Sequence, residues 1–176
     1  MRMAIKRLLC GLLVLCLALS FVGCENRKET AIQNITSMIQ AAYTAPDAIL
    51  LDNRPVVAVS TGEVVSGDKE VYRERIRELY GKYCENNYVE SLMANDIMMA
   101  HLYCESSGMI CTVDSVTVTP NEDSYQFEAT LHYGLESADE NDLVIHGHAQ
   151  TNQEGQITFF KLYDSSFSAM KQALMQ

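Results

Sequence analysis

The stretch from Tyr125 to Glu136 alternates between apolar and polar residues and constrains the fold more than any other segment. Its apolar members are Tyr125, Phe127, Ala129, Leu131, Tyr133 and Leu135, and its polar members include Gln126, Glu128, Thr130 and His132. Successive side chains of a β-strand point to opposite faces of the sheet. The stretch therefore predicts a strand of an antiparallel sheet that is buried on one face and wet on the other.

Three more segments predict strands beside this one: Met109–Thr119, which is rich in β-branched residues, Leu143–Thr151 and Ile157–Tyr163. Turn-forming residues separate the four segments at Pro120–Asp123, Ser137–Asn141 and Asn152–Gly155. Short connections of this kind join antiparallel neighbours, so the second half of the chain predicts a four-stranded antiparallel meander.

Helical periodicity dominates the chain before Gly108. The first predicted helix begins at Thr30 as its N-cap and ends at Ala45-Pro46. The second begins after Asp68, which is well placed to cap it. The third runs through Val89–Tyr103 and stops at Ser106-Ser107-Gly108.

Two segments outside this pattern carry weaker signals. Asp47–Gly67 predicts either a small hairpin or a loop that lies on the core. Phe167, Met170 and Leu174 recur at helical spacing and predict a short terminal helix.

These elements together predict an α+β domain over residues 30–176, with N-terminal helices packed on a curved four-stranded antiparallel sheet. The order of helices and then long hairpins resembles the NTF2-like (cystatin-like) superfamily. That resemblance implies a cone-shaped space between helices and sheet, which the family uses for ligands, for catalysis or as core. It also implies a homodimer formed through the exposed sheet face.

The first residues predict export. Basic residues (Arg2, Lys6, Arg7) precede an apolar run from Leu8 that ends in Phe21-Val22-Gly23-Cys24. The run is about 15 residues long, shorter than the roughly 20 that a resident membrane helix needs. Residues 1–23 are therefore predicted to be a signal peptide.

The end of this run resembles the lipobox of bacterial lipoproteins, including small clostridial lipoproteins of unassigned function. The resemblance implies cleavage after Gly23, a diacylglyceryl thioether on Cys24, and residues 24–29 as a tether to the extracytoplasmic face of the cell membrane. Two or more acyl chains hold a protein stably at a bilayer. The alternative is an ordinary signal peptide cut near Ala18-Leu19-Ser20, which leaves Cys24 an incidental thiol.

Charge excludes one class of partner. The chain has 13 basic and 23 acidic residues and a formal net charge of −10. An acidic chain repels nucleic acid and anionic headgroups. Nucleic-acid binding is therefore not expected, and membrane association has to come from the lipid.

Three cysteines remain beyond Cys24: Cys84, Cys104 and Cys111. They allow one disulfide with a spare thiol, or three buried thiols that act as small hydrophobic side chains. Their spacing matches no zinc motif, and no cofactor is predicted.

Three histidines are candidates for a metal site. With the turn centred on Asp139, His132 faces His146, and His148 lies two residues along the same strand and on the same face. Three imidazoles suffice for zinc or copper. The alternative is a solvated polar face on which the histidines have separate surroundings.

The chain carries no nucleophile elbow, phosphate loop or HExxH motif, so no catalytic residue is assigned. The family resemblance would place an acid or base in the cone, for which Asp96, His101 and Tyr133 are the candidates. Each also has a structural interpretation. Asp96 would be a surface carboxylate, His101 a cation at a helix end and Tyr133 a core aromatic.

The leading hypothesis is thus a lipid-anchored extracytoplasmic module that binds a protein or small ligand without catalysis. The alternatives are an enzyme of the dehydratase or isomerase kind that uses the cone, and a metal-binding lipoprotein.

Overall fold

The computed structural model describes residues 26–57, 60, 64–92, 98–122, 124–135 and 141–175. The predicted signal peptide, Cys24 and Asp96 lie outside these residues. No helix in this part of the chain is long and apolar enough to cross a membrane.

The described elements are helices followed by strands, with one more helix at the end. The first part contains α1 (residues 26–43), α2 (Ala48–Asp52), β1 (Val56–Val57), β2 (Val64–Ser66), α3 (Lys69–Tyr80), α4 (Asn86–Leu92) and α5 (Met99–Ser107). The second part contains β3 (Met109–Asn121), β4 (Ser124–Leu135), β5 (Asn141–Thr151), β6 (Ile157–Leu162) and α6 (Asp164–Leu174).

The predicted α+β architecture is confirmed. Strands β3–β4–β5–β6 form an antiparallel meander in sequence order, and β1 pairs with β2 in a separate small ribbon. The arrangement is consistent with the NTF2-like order. The helices are not all N-terminal, however, because α6 follows the sheet.

The core lies between the helices and one face of the sheet. Phe127, Leu131 and Ile145 point into it and are at most 3% exposed. The ring of Phe127 stacks on that of Phe160, with 4.7 Å between the ring centroids. Helix α5 packs on β3, α6 on β5 and α4 on β6. One sheet face is therefore closed by helices, as the alternation on β4 predicts.

The predicted ends of two helices are confirmed by their capping contacts. The Asp68 carboxylate accepts hydrogen bonds from the backbone N–H groups of Glu70 (2.9 Å) and Val71 (3.1 Å), which caps α3. Helix α5 ends where Gly108 adopts a φ of 70°, a left-handed conformation that glycine accepts most readily.

Two local predictions need correction. Thr30 is not an N-cap, because it lies inside α1 and its hydroxyl donates to the Asn26 carbonyl at 2.9 Å. Residues 26–29 of the predicted tether are consequently helical. The helix predicted through Val89–Tyr103 corresponds to α4 and α5, and residues 93–97 between them lie outside the described residues. Of the two alternatives for Asp47–Gly67, the small hairpin is confirmed, because β1 and β2 pair in antiparallel fashion; α2 precedes it.

Gly147 on β5 is a site where the sheet cannot accommodate a side chain. A methyl group added to its Cα would lie 2.4 Å from the Lys161 carbonyl oxygen and 2.4 Å from the Phe127 ring. Overpacking of a close-packed interior typically costs about 1–3 kcal/mol.

We therefore expect Gly147→Ala to lower the free energy of unfolding by about 2 kcal/mol or more, measured by urea denaturation. Gly108→Ala is the matched control, because its new methyl group meets nothing within 4 Å and carries only the cost of positive φ. That cost is about 1 kcal/mol. A Gly147→Ala protein that is more stable than the Gly108→Ala protein would contradict the close packing.

Candidate functional site

The outward face of the four-stranded sheet carries the three histidines that the sequence offers as metal-site candidates. We call it the open face and define it by the outward residues Ile110, Thr112, Gln126, Glu128, Thr130, His132, Asp142, Val144, His146, His148, Phe159, Lys161 and Tyr163. Its large apolar members are substantially exposed, for example Ile110 at 41% and Val144 at 46%. The open face thus combines apolar and ionisable side chains that water reaches.

His132 forms an acidic cluster with residues of both neighbouring strands. Its Nδ1 lies 2.5 Å from Oδ1 of Asp142, the residue directly opposite on β5. Its Nε2 lies 3.4 Å from a carboxylate oxygen of Asp114, which sits in the β-bulge of β3. The hydrogen bond with Asp142 and the two negative charges raise the pKa of His132 above its ordinary value.

The other two open-face histidines have different partners. His146 lies opposite Glu128, with 3.5 Å between Nδ1 and a carboxylate oxygen. His148 lies between two aromatic rings, with its ring centroid 5.2 Å from that of Phe159 and 5.7 Å from that of Tyr163. The Nδ1 atom of His148 is buried without a hydrogen-bond partner in the structure.

The predicted pairing of His132 with His146 is wrong, because Asp142 lies opposite His132 and Glu128 lies opposite His146. The actual register differs from the predicted one by four residues, so His146 lies about 13 Å along the strand from the position opposite His132. His132, His146 and His148 share one sheet face as predicted, but they are not brought together. Among the described residues, no three His, Cys, Asp or Glu side chains are placed to hold a metal ion.

A second polar constellation lies among the helices around the partly buried Asp47. The Asp47 carboxylate accepts from the Leu50 backbone N–H at 2.8 Å and from Nη2 of Arg75 at 2.6 Å. The Asp47 backbone N–H donates to Nδ1 of His101 at 3.1 Å. One residue thereby links α2, α3 and α5.

The titration behaviour of this network follows from burial and contacts. Burial alone would raise the pKa of Asp47, but the hydrogen bonds from Arg75 and Leu50 outweigh it and hold that pKa below its usual range. Burial lowers the pKa of His101, against the opposing charge of Asp47. A neutral ring that accepts at Nδ1 carries its proton on Nε2, which is buried beside the Ala41 carbonyl.

The interpretation of His101 as a helix-end cation is therefore wrong, since the side chain is 1% exposed and favours the neutral form. Tyr133, another candidate, is partly buried against the core. The sequence alone does not single out Asp47 or Arg75. The contact between Asp47 and Arg75 joins residues 28 positions apart, and the contact between Asp47 and His101 joins residues 54 positions apart. For His101 a signal existed: it shares a helical stripe with Ile97 and Cys104.

No protein-family model, curated protein or solved structure matches this chain.

We predict that the protein loses stability as the pH falls from 7 to 5, in part through His101. The unfolded chain takes up a proton near the ordinary histidine pKa of about 6.5, whereas folded His101 resists protonation to lower pH. The contribution of His101 is thus present above the unfolded pKa and is lost below it. Urea denaturation at several pH values measures this slope.

The variant His101→Gln keeps a hydrogen-bond acceptor but does not titrate, so its slope between pH 7 and 5 should be shallower than that of the wild type. Parallel slopes for His101→Gln and wild type would show that His101 is not the group responsible.

Proposed function

We propose that this chain is a lipid-anchored extracytoplasmic module that binds a partner through the open face and carries out no catalysis. One observation carries the binding role: the helices cover one face of the sheet, while the other face displays exposed Ile110, Val144, Phe159 and Tyr163 among ionisable side chains. Exposed apolar patches rimmed by polar groups are typical of interaction sites.

The anchor rests on the lipobox-like residues Phe21-Val22-Gly23-Cys24. Helix α1 already includes residue 26, so the helical part of the chain follows within two residues of Cys24. Two residues span at most about 7 Å. A lipid on Cys24 would therefore hold the domain directly against the bilayer rather than on a long flexible tether.

The direction of α1 supports a lateral presentation of the open face. In its first half, Asn34 donates to the carbonyl of Gly155 in the β5–β6 turn at 2.9 Å. Just beyond its end, Ala45 pairs with Cys111 near the start of β3, at the opposite end of the strands. The strands thus run along α1, and an anchor at its start leaves the open face at the side of the molecule, accessible to a neighbour.

The interior gives the enzyme alternative less support. A cone enzyme needs an accessible pocket lined by a titratable pair, but large side chains such as Met38, Tyr43 and Tyr80 are fully buried between helices and sheet. The partly buried Asp47 and the buried His101 are engaged in contacts that join helices. The metal alternative is also weaker, since each open-face histidine has its own carboxylate or aromatic neighbours.

The anchor is tested by metabolic labelling with an alkyne-bearing fatty acid in a bacterium that processes lipoproteins. The wild-type chain should be labelled and fractionate with membranes, and Cys24→Ala should lose both properties. Cys84→Ala is the control and should remain labelled. Equal labelling of the Cys24→Ala and wild-type proteins would refute the anchor.

The binding surface is tested with Val144→Glu, which places a charge in the centre of the open face. Val65→Glu is the matched control, because Val65 is 62% exposed on the β1–β2 ribbon, away from the sheet. Both variants should unfold at the wild-type temperature.

After chemical cross-linking on intact cells, we expect Val144→Glu to recover at least about tenfold less of the wild-type partner, a loss of about 1.4 kcal/mol. Val65→Glu should recover it fully, and the partner is identified by mass, a second copy of this chain included. Equal recovery by all three proteins, or turnover of a substrate by the purified protein, would contradict the proposal.

A further inference from the structure

The four-stranded sheet has two edges, β3 and β6, and they differ in how they are covered. On β6, Ile157 donates to the Tyr83 carbonyl and accepts from the Glu85 backbone N–H, each at 2.9 Å. Further along, the Tyr88 hydroxyl donates to the Phe160 carbonyl at 3.2 Å. The segment that leads into α4 thus occupies hydrogen-bonding groups of β6 that another strand would need.

The edge formed by β3 is covered only at its start. Cys111 exchanges two backbone hydrogen bonds with Ala45, at 2.8 and 2.9 Å, and no other described residue pairs with the outer side of this strand. Residues 113–121 therefore form an edge of about 30 Å, at roughly 3.3 Å per residue. We call these residues the free edge. An edge of this kind presents a row of backbone N–H and C=O groups that can pair with another strand.

The side chains of the free edge do not oppose such pairing. Charged residues on an edge strand are a common protection against it, but residues 115–121 carry no charge. The Asp114 carboxylate lies 3.4 Å from His132, on the neighbouring strand β4 and away from the edge. The bulge at Asp114 and the ring of Pro120 limit pairing at the two ends, which leaves the residues between them available.

The free edge also continues the two-sided character of the sheet. Val113, Val116 and Val118 pack against the core and remain partly exposed, whereas Thr117 and Thr119 are exposed. A strand added here must therefore place apolar side chains on the helix side of the sheet and polar ones on the other. The β3 strand has this alternation itself, so a second β3 strand fits the requirement.

We propose that two copies of this chain associate edge to edge through β3, antiparallel and about a two-fold axis at Thr117, to form one eight-stranded sheet. Thr117 then lies opposite itself, Val116 opposite Val118, and Ser115 opposite Thr119 of the other copy. Opposite residues of an antiparallel pair share a face, so apolar side chains meet on the helix side and hydroxyl groups on the other. The contact is self-complementary, as a two-fold interface has to be.

The remainder of the molecule is compatible with this register. With Thr117 opposite itself, Cys111 of one copy lies beyond Asn121, the last residue of β3 in the other copy. The contact of Ala45 with Cys111 consequently does not obstruct the second strand. Pairing through the edge leaves the open face exposed in both copies, so this inference goes beyond the proposed function and does not depend on it.

The first test links the two copies at the axis. Residues opposite each other in an antiparallel pair have Cα atoms about 4.5–5.5 Å apart, which a disulfide can bridge. Full-length Thr117→Cys is purified in a mild detergent, oxidised with copper phenanthroline and separated on a non-reducing gel. Thr112→Cys is the matched control, because Thr112 is exposed on the same strand but lies outside the paired segment.

We expect Thr117→Cys to give at least about tenfold more linked dimer than Thr112→Cys, since only residue 117 meets its own copy within disulfide distance. The wild-type chain shows how much dimer arises through Cys24. The described native cysteines are fully buried and do not react. Equal amounts of dimer from the two variants, or none from Thr117→Cys, would overturn the edge-to-edge pair.

The second test uses charge. Two differently tagged copies of the full chain are expressed together, and their co-purification is measured. In the lysine variant, Ser115→Lys and Thr119→Lys are combined, and in the glutamate variant Ser115→Glu and Thr119→Glu. Both positions are exposed and lie opposite uncharged residues of β4, so the variants should fold.

Either variant should co-purify with itself at least about tenfold less than wild type does, because like charges lie opposite each other at both positions. The lysine variant should co-purify with the glutamate variant at the wild-type level, since each lysine then lies opposite a glutamate. A chain with Thr112→Lys and Gln150→Lys adds the same charge elsewhere on the sheet and should pair as wild type does. Failure of the mixed pair to recover would contradict the proposed register.

The same assay distinguishes this contact from other occupants of the two surfaces. Val144→Glu on the open face should pair as wild type does. Loss of pairing in Val144→Glu but not in the lysine variant would place the second copy on the open face instead. A protein of another mass that co-purifies with wild type in place of the second copy, and is lost with the lysine variant, would assign the free edge to a different extended segment. Either result would overturn the proposal.

Discussion

The one-sided burial of the β3–β6 sheet is the constraint on which the rest of the structure depends. Phe127 and Leu131 point to the helices, while Glu128 and His132, their neighbours in sequence, point to water. A sheet of this kind is stable only if other elements cover its apolar face, and α4, α5 and α6 do so. Among the residues that the structure describes, the same alternation leaves the opposite face without a covering element. Architecture and candidate function therefore have a single cause, because the residues that require the helices also place His132 and its neighbours on a free surface.

One-sided burial explains why the sequence predicts the face on which each strand residue lies but not the register of the strands. Alternation assigns each residue to a face, so the strands and the shared face of the three histidines were correctly predicted. Register is a separate matter. A slip of one residue would expose the core, whereas a slip of four leaves every side chain on its face. Hydrophobic pattern thus cannot distinguish His146 from Asp142 as the residue opposite His132. The choice depends on the length of the β4–β5 connection, for which the turn residues give only a range.

The Asp47 network was beyond prediction for a different reason. Local rules recognise Asp68, since its carboxylate caps the helix that follows it immediately. Asp47 caps α2 in the same local way, but its other partners, Arg75 and His101, belong to α3 and α5. Pairs of this kind become visible only when the packing of the helices is known. The partial exception is His101, whose position on an apolar helical stripe indicates burial even though histidine is polar.

Polar contacts at one point join the helices to each other and to the sheet edge. Cys111 on β3 is paired with Ala45 through the backbone, and the backbone N–H of nearby Asp47 donates to His101 on α5. The contact with His101 depends on protonation, unlike the apolar core. At low pH the neutral form of buried His101 becomes unfavourable, which lowers the stability of these contacts. On the open face low pH has the opposite effect, because the raised pKa of His132 means that its charged contacts stabilise the fold below the unfolded pKa and are lost as pH rises through the folded value. The difference in sign follows from position: His101 is surrounded by buried groups, whereas His132 lies in water between two carboxylates.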